Sequence, residues 1–99
     1  LEDNIRYLKE FKLNETVHPS FVLHKVNKKL MHFVGILKNK ENQIAAIFET
    51  ILGHIDLKKR KIVNFPDDRF QHILNVCNEQ NKNIELPFDV KLYIKDINA

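Results

Sequence analysis

The chain has 99 residues, of which 43% are apolar and 29% charged, with 2 glycines and 3 prolines. This composition predicts one small folded domain without a membrane span, because no apolar run approaches the roughly 18 residues that a span needs. The single cysteine, Cys77, excludes an internal disulfide framework and suits a reducing cytoplasm. A net charge of +3 is too weak to predict nucleic-acid binding.

The first two thirds of the chain predict a meander of strands. In the first run, Ile5, Tyr7 and Phe11 alternate with polar residues and share one side. Polar turns are predicted at residues 12–15, 27–28 and 39–42. The predicted strands are residues 4–11, 16–26, 29–38 and 43–57, and residues 61–65 extend the last one or form a short fifth.

The fourth run, residues 43–57, is long and apolar enough to be a helix. Its many isoleucines favour a strand, and the turns around it are spaced as in a meander. We therefore predict a strand here.

A helix is predicted after Pro66, with an aspartate cap and acidic residues in its first turn. Its apolar face has the helical spacing i, i+3, i+4, i+7, formed by Phe70, Ile73, Leu74 and Cys77. The helix is expected to fray through residues 78–83. Residues 84–99 are predicted to be a tail, with a short strand around residues 90–94.

Guessed hairpin registers place polar side chains in one row. If Val26 faces Leu30, then His24 faces His32, and the next turn places His32 opposite Thr50. This row is either a polar stripe in a cleft or, as we favour, an ordinary solvated face with histidines. Two histidines without a nearby carboxylate fall short of a metal ligand set, so no metal is expected.

Basic residues form two clusters, residues 25–29 and residues 58–61. The guessed register places Lys28 near His54 and so brings both clusters to one end of the sheet. They form either a binding site for phosphates or a solvated charged surface that keeps the edge of the sheet from pairing with another chain.

No nucleophile motif appears in the sequence. Cys77 is expected to behave as a small hydrophobe on the apolar stripe of the helix. Glu49 lies among apolar residues in the middle of a predicted strand. A cross-strand lysine or a backbone donor would explain this position.

Four segments of the chain carry motifs of one family. The segments are 4–10 (NIRYLKE, resembling I-x-Y-L-x-E), 28–33 (KKLMHF, resembling K-R-L-H-x-F), 44–49 (IAAIFE, resembling L-A-A-T-x-E) and 54–66 (HIDLKKRKIVNFP, resembling H-V-D-L-x-x-R-R-x-x-x-F-P). In these motifs the chain resembles hotdog-fold acyl-CoA thioesterases of the 4-hydroxybenzoyl-CoA thioesterase type. The order and spacing agree over about residues 2–75, and the resemblance also favours a strand at residues 43–57.

The resemblance implies an α+β fold with a hotdog-like antiparallel sheet of about four to five strands and a C-terminal helix. The family's central helix precedes the strand matched by residues 2–11, so it is expected to lie outside this chain. Residues 1–83 are then a thioesterase-like domain incomplete at its N-terminus, and residues 84–99 an extension. The family's catalytic carboxylate and the helix that polarises the thioester also lie in that outside region, so no catalytic residue is assigned.

The implied function is hydrolysis of a small or medium acyl-CoA thioester by the complete domain. Lys28, Lys29, Arg60 and Lys61 match basic pairs that contact coenzyme A phosphates in relatives. Coenzyme A is part of the substrate, and no separate cofactor is implied. The resemblance also implies a cytoplasmic homo-oligomer, a dimer or tetramer. The alternatives are a non-catalytic acyl-CoA sensor and a small basic domain for protein or nucleic-acid contacts.

Overall fold

The structure, a computed structural model, describes residues 2–10, 16–82 and 85–97. The main sheet is antiparallel, with the strand order β1-β4-β3-β2, and β5 pairs with β6 in a small hairpin. The predicted antiparallel sheet and C-terminal helix are confirmed. The elements are β1 (Glu2–Tyr7), β2 (His18–Val26), β3 (Leu30–Lys38), β4 (Ile44–Gly53), β5 (Ile55–Asp56), β6 (Lys61–Ile62) and α1 (Asp67–Asn81).

The strand prediction for residues 43–57 is confirmed, because β4 and β5 occupy this run. The short fifth strand predicted at 61–65 is β6, which pairs with β5. The predicted turn at 12–15 and Phe11 lie outside the described residues. The short strand predicted around 90–94 is wrong, since residues 85–97 form no strand.

Asparagine side chains organise both hairpin turns of the main sheet. Asn27 Oδ1 accepts a hydrogen bond from the amide of Leu30 at 2.8 Å. Asn39 Oδ1 accepts one from the amide of Gln43 at 2.9 Å, and Asn42 has a φ of 63°. Asparagine tolerates this left-handed conformation and mimics a backbone turn, which is why these polar residues end the strands.

The guessed register between β2 and β3 is wrong near the first turn. Val26 pairs with Met31 instead of Leu30, and Lys25 takes the place opposite His32. The cause is an irregularity between Leu23 and Lys25, which inserts one extra residue into β2.

The guessed register between β3 and β4 is also wrong by one residue. A second irregularity, between Leu37 and Lys38, shifts the pairing, and His32 therefore lies opposite Ile51. Because the side-chain period of a strand is 2, Thr50 points to the other face of the sheet. There its hydroxyl donates to Asp3 Oδ1 at 2.6 Å.

Helix α1 packs on β2 through its predicted apolar face. Phe70 and Cys77 are buried with Leu23, Val26 and Phe65. Ile73 and Leu74 pack against the same cluster. The helix is stabilised mainly by burial of this face, because isolated helices of this length are only marginally stable in water.

The ends of α1 differ from their prediction. Pro66 occupies the N-cap position and no side chain caps the helix, so the predicted aspartate cap is wrong. Asp67 and Asp68 lie in the first turn, where their charge suits the helix dipole. The helix also continues to Asn81 where fraying was expected. There Asn81 Nδ2 donates to Leu23 O at 2.8 Å, which holds the last turn against β2.

Different parts of the chain pack against the two faces of the main sheet. We call the face that carries Leu23 and Phe33 the helix face, because both pack in the cluster around α1. Elsewhere on this face Ile5 and Tyr7 are exposed. The opposite face, here called the tail face, carries Glu49 and is contacted by the tail, residues 85–97.

Gly35 provides space for an aromatic ring on the helix face. A Cβ at this position would lie 2.3 Å from Phe48 Cζ, and Phe48 also meets Phe21 edge-on at 5.0 Å between ring centroids. Gly35→Ala is therefore expected to lower the free energy of unfolding by about 1–3 kcal/mol in urea denaturation. Adding Phe48→Leu should recover part of this loss. Equal stabilities of Gly35→Ala and the unchanged protein would contradict the prediction.

Candidate functional site

Glu49 is the centre of a buried polar network on the tail face. Its side chain is fully buried, and each carboxylate oxygen accepts two hydrogen bonds. Oε1 accepts from His32 Nε2 at 3.0 Å and from the amide of Leu92 at 3.1 Å. Oε2 accepts from Arg6 Nη2 at 3.2 Å and from the amide of Lys91 at 2.8 Å. The backbone donor expected for this residue is thus provided by the tail.

These donors decide the charge state of Glu49. Burial alone would raise the pKa of its carboxyl, but the hydrogen bonds from Leu92, Lys91 and His32 outweigh burial and lower the pKa below its ordinary value of 4.5. Glu49 is therefore a carboxylate at neutral pH. This arrangement fastens the tail, and it leaves the carboxylate without a free oxygen for chemistry.

His24 lies beside the network in the bulge of β2. Its ring meets the ring of His32 edge-on at 5.3 Å between centroids. Burial, and then the charge of His32, lower the pKa of His24 below its ordinary value of 6.5. The predicted neighbours His24 and His32 are thus together, but Thr50 is not in this row and Glu49 takes its place.

Three further contacts attach the tail. The side-chain Nδ2 of Asn27 donates to Lys95 O at 3.1 Å, and Lys25 forms an ion pair with Asp96. Ile94 is only 7% exposed. The tail is therefore a packed part of this domain along residues 91–96.

A cavity of about 460 Å³ lies where the tail meets the β2–β3 turn. We call it the turn cavity. Lys28 and Lys29 line it from the turn, and Tyr93 and Lys95 line it from the tail. Its volume is in the range of ordinary ligand pockets, and its cations favour an anionic ligand.

The backbone of the turn is anchored on its other side by the segment after β4. Lys28 O accepts from the amide of Phe65 at 2.8 Å, and Lys29 O accepts from the amide of His54 at 3.1 Å. The ring of His54 stacks on Phe65 at 5.3 Å between centroids. These contacts hold both lysine main chains in place, so only their flexible side chains need to order around a ligand.

Arg60 and Lys61 do not line the turn cavity. They lie in the β5–β6 hairpin, where Arg60 has a φ of 52° and Lys61 pairs with Asp56. The amide of Val63 donates to His54 O at 2.9 Å, which joins the base of this hairpin to the end of the sheet that carries the turn. The structure therefore places one predicted basic pair at the cavity and the other on a neighbouring hairpin.

A second cavity of about 600 Å³ lies between β2, α1 and the tail, with His24, Lys25 and Cys77 in its lining. Burial raises the pKa of the Cys77 thiol, and a hydrogen bond from Asn81 opposes this in part. The thiol is thus protonated at neutral pH, as expected for a cysteine that packs as a hydrophobe.

The sequence did not point to Tyr93 and Lys95, because residues 84–99 were predicted only as a tail with a short strand. The mid-strand position of Glu49 was the signal that pointed to a missing partner for this face. Among residues 2–10, 16–82 and 85–97, no group of three His, Cys, Asp or Glu side chains could hold a metal. The same residues contain no helix long and apolar enough to cross a membrane.

The sequence profile of the Thioesterase-like superfamily matches residues 1–90, so the chain belongs to this superfamily. The match confirms the thioesterase-like part of the resemblance, while the 4-hydroxybenzoyl-CoA type stays a prediction. The comparison with curated proteins finds no match.

Two solved structures share the fold. One is a hypothetical protein from Staphylococcus aureus in complex with CoA, with 21% identity and a TM-score of 0.78 over 96% of this chain and 61% of that one. The other is a candidate thioesterase from Pseudomonas putida, with 22% identity and a TM-score of 0.69 over 95% of this chain and 62% of that one. The present chain thus spans about three fifths of the length of each.

Proposed function

We propose that this chain binds coenzyme A thioesters and, within a complete domain, belongs to an enzyme that hydrolyses a small or medium acyl-CoA. Membership of the Thioesterase-like superfamily supports the reaction class. The observation that carries the proposal is the turn cavity, where Lys28 and Lys29 stand on an anchored turn. The CoA bound to the Staphylococcus aureus protein makes coenzyme A the ligand to test first.

The catalytic carboxylate and the oxyanion donors of this proposal come from a helical segment outside the 99 residues. Thioester hydrolysis needs both groups, one to activate water or attack and the other to stabilise the developing oxyanion. The exposed apolar residues of the helix face, Ile5, Tyr7 and Phe21, support the packing of such a segment there. Assembly into a dimer or tetramer in the cytoplasm is part of the same proposal.

The second candidate is a domain that binds acyl-CoA without hydrolysing it. It is worth testing because the one buried carboxylate among the described residues, Glu49, already accepts four hydrogen bonds and so provides no free oxygen for hydrolysis. The two candidates differ in one measurement, the release of free thiol from an acyl-CoA that the protein binds. Binding without thiol release supports the second candidate.

The lysines of the turn are tested by charge reversal. Lys28→Glu is expected to weaken coenzyme A binding about tenfold, because a charge-assisted contact with a phosphate is replaced by repulsion. The melting temperature should stay the same, since the Lys28 side chain is exposed. Isothermal titration calorimetry measures the affinity, and Lys40→Glu in the distant β3–β4 turn is the matched control.

Unchanged affinity in Lys28→Glu would show that the phosphates are not bound at this turn. A double variant of Arg60 and Lys61 tests the second basic pair separately. Weakening by both variants would extend the phosphate site to the β5–β6 hairpin. Weakening by the Lys28 variant alone would confine it to the turn cavity.

A further inference from the structure

The tail brings an aromatic ring and a third lysine to the turn cavity. Tyr93 and Lys95 line it together with Lys28 and Lys29. The Tyr93 side chain is 75% exposed, so its ring face is open to a ligand. An open aromatic ring beside several ammonium groups suits a ligand that joins a planar base to phosphates, because bases stack on rings while phosphates pair with cations.

The main chain around Tyr93 is held on both sides before any ligand binds. The preceding amide, that of Leu92, donates to Glu49, and the carbonyl of Lys95 accepts from Asn27. Ile94 between them is buried. The Tyr93 hydroxyl itself donates to Val90 O at 3.0 Å, which restricts the ring. A ring fixed in this way loses little conformational entropy when a base stacks on it.

The charge around the cavity is net positive. Asp96 also lines it, but its carboxylate forms an ion pair with Lys25 on the side of the second cavity. Lys28, Lys29 and Lys95 therefore contribute three positive charges against one carboxylate that already has a partner. This balance favours a ligand with several negative charges, such as the 3′-phosphate and diphosphate of coenzyme A.

We propose that Tyr93 and Lys95 complete a nucleotide site, in which the Tyr93 ring stacks on the adenine of coenzyme A and Lys95 joins Lys28 and Lys29 at its phosphates. This inference rests on the proposed binding of coenzyme A and assigns its nucleotide end to the tail. The tail is thus a binding element of the domain as well as a cover for Glu49.

The test measures binding of 3′,5′-ADP, the nucleotide end of coenzyme A, by calorimetry. Tyr93→Ala is expected to weaken binding about tenfold, the loss of one base-stacking contact. Tyr93→Phe keeps the ring and loses only the hydroxyl contact with Val90 O, so it should retain most of the affinity that Tyr93→Ala loses. Tyr7→Ala is the matched control, since Tyr7 is equally exposed at 75% but lies on β1.

Lys95→Gln should also weaken binding of 3′,5′-ADP and make the remaining affinity less sensitive to salt, because one ion pair with a phosphate is lost. The melting temperatures of the Tyr93 and Lys95 variants should match that of the unchanged protein, since both side chains are exposed.

Two results would overturn the inference in distinguishable ways. If Lys28→Glu weakens binding while Tyr93→Ala and Lys95→Gln bind normally, the tail is not part of the site and the proposed coenzyme A binding stands. If the unchanged protein binds neither 3′,5′-ADP nor coenzyme A, the proposed function and this inference both fail.

Discussion

Replacing Glu49 by alanine is expected to lower the free energy of unfolding by about 3–5 kcal/mol, the usual cost of removing one partner from a buried charged network. The variant leaves His32 and two tail amides without their common acceptor. Urea denaturation at pH 7 measures the loss. Glu41→Ala is the matched control, because Glu41 is exposed in the β3–β4 turn and its replacement should change stability by less than about 0.5 kcal/mol.

The same network predicts an acid-sensitive stability. The pKa of Glu49 is lowered in the folded state, so its stabilising contribution is complete above the ordinary value of 4.5 and is lost as the pH falls through the folded value. Glu49→Gln, which does not titrate, should therefore lose less stability than the unchanged protein below pH 4.5. Parallel acid denaturation curves for the two proteins would contradict this assignment.

Ending the chain at Lys82 is expected to cost about 4 kcal/mol or more, since the tail supplies two amides to Glu49 and the buried side chain of Ile94. Urea denaturation and the melting temperature both report this loss. The truncated chain keeps the Glu49 carboxylate but removes the amides of Lys91 and Leu92 that donate to it, and it exposes this carboxylate together with apolar surface.

Single substitutions separate the parts of this effect. Lys91→Ala keeps the backbone amide that Glu49 accepts and should leave stability unchanged, because the Lys91 side chain is exposed. Leu92→Pro removes one of the two amides that donate to Glu49. Its free energy of unfolding should lie between the values for Lys91→Ala and for the truncated chain. A truncated chain as stable as the unchanged protein would show that the tail does not pack on the sheet.

The elements of this fold could be predicted because their local patterns are strong. Apolar runs between polar turns marked β2 and β3, and the helical spacing of Phe70, Ile73 and Cys77 marked α1. The register could not be predicted, since it depends on two irregularities, at His24 and between Leu37 and Lys38. Nothing in the local sequence distinguishes a residue that bulges from one that pairs, and each bulge moves every later side chain by one position.

Only the part of the candidate site that lies in the β2–β3 turn could be predicted from the sequence. Lys28 and Lys29 lie in a turn that the polar residues around them predict. Their position at one end of the sheet could therefore be inferred from the predicted hairpin. Tyr93 and Lys95 reach the same place through hydrogen bonds of the main chain to Glu49 and Asn27. Such contacts follow no residue spacing, and only the unexplained charge in the middle of β4 pointed to them.

The end of α1 has a consequence for how copies of the protein can join. Gln80 Oε1 accepts from the amide of Leu23 at 2.7 Å, and Asn81 Nδ2 donates to the carbonyl of Leu23. Both backbone groups of Leu23 therefore point outward from the sheet, and by alternation so do those of Phe21 and Pro19. Proline has no amide hydrogen, so between residues 19 and 23 only Phe21 can donate to an incoming strand. The exposed edge of β2 is therefore a poor template for pairing with further strands and for fibril growth.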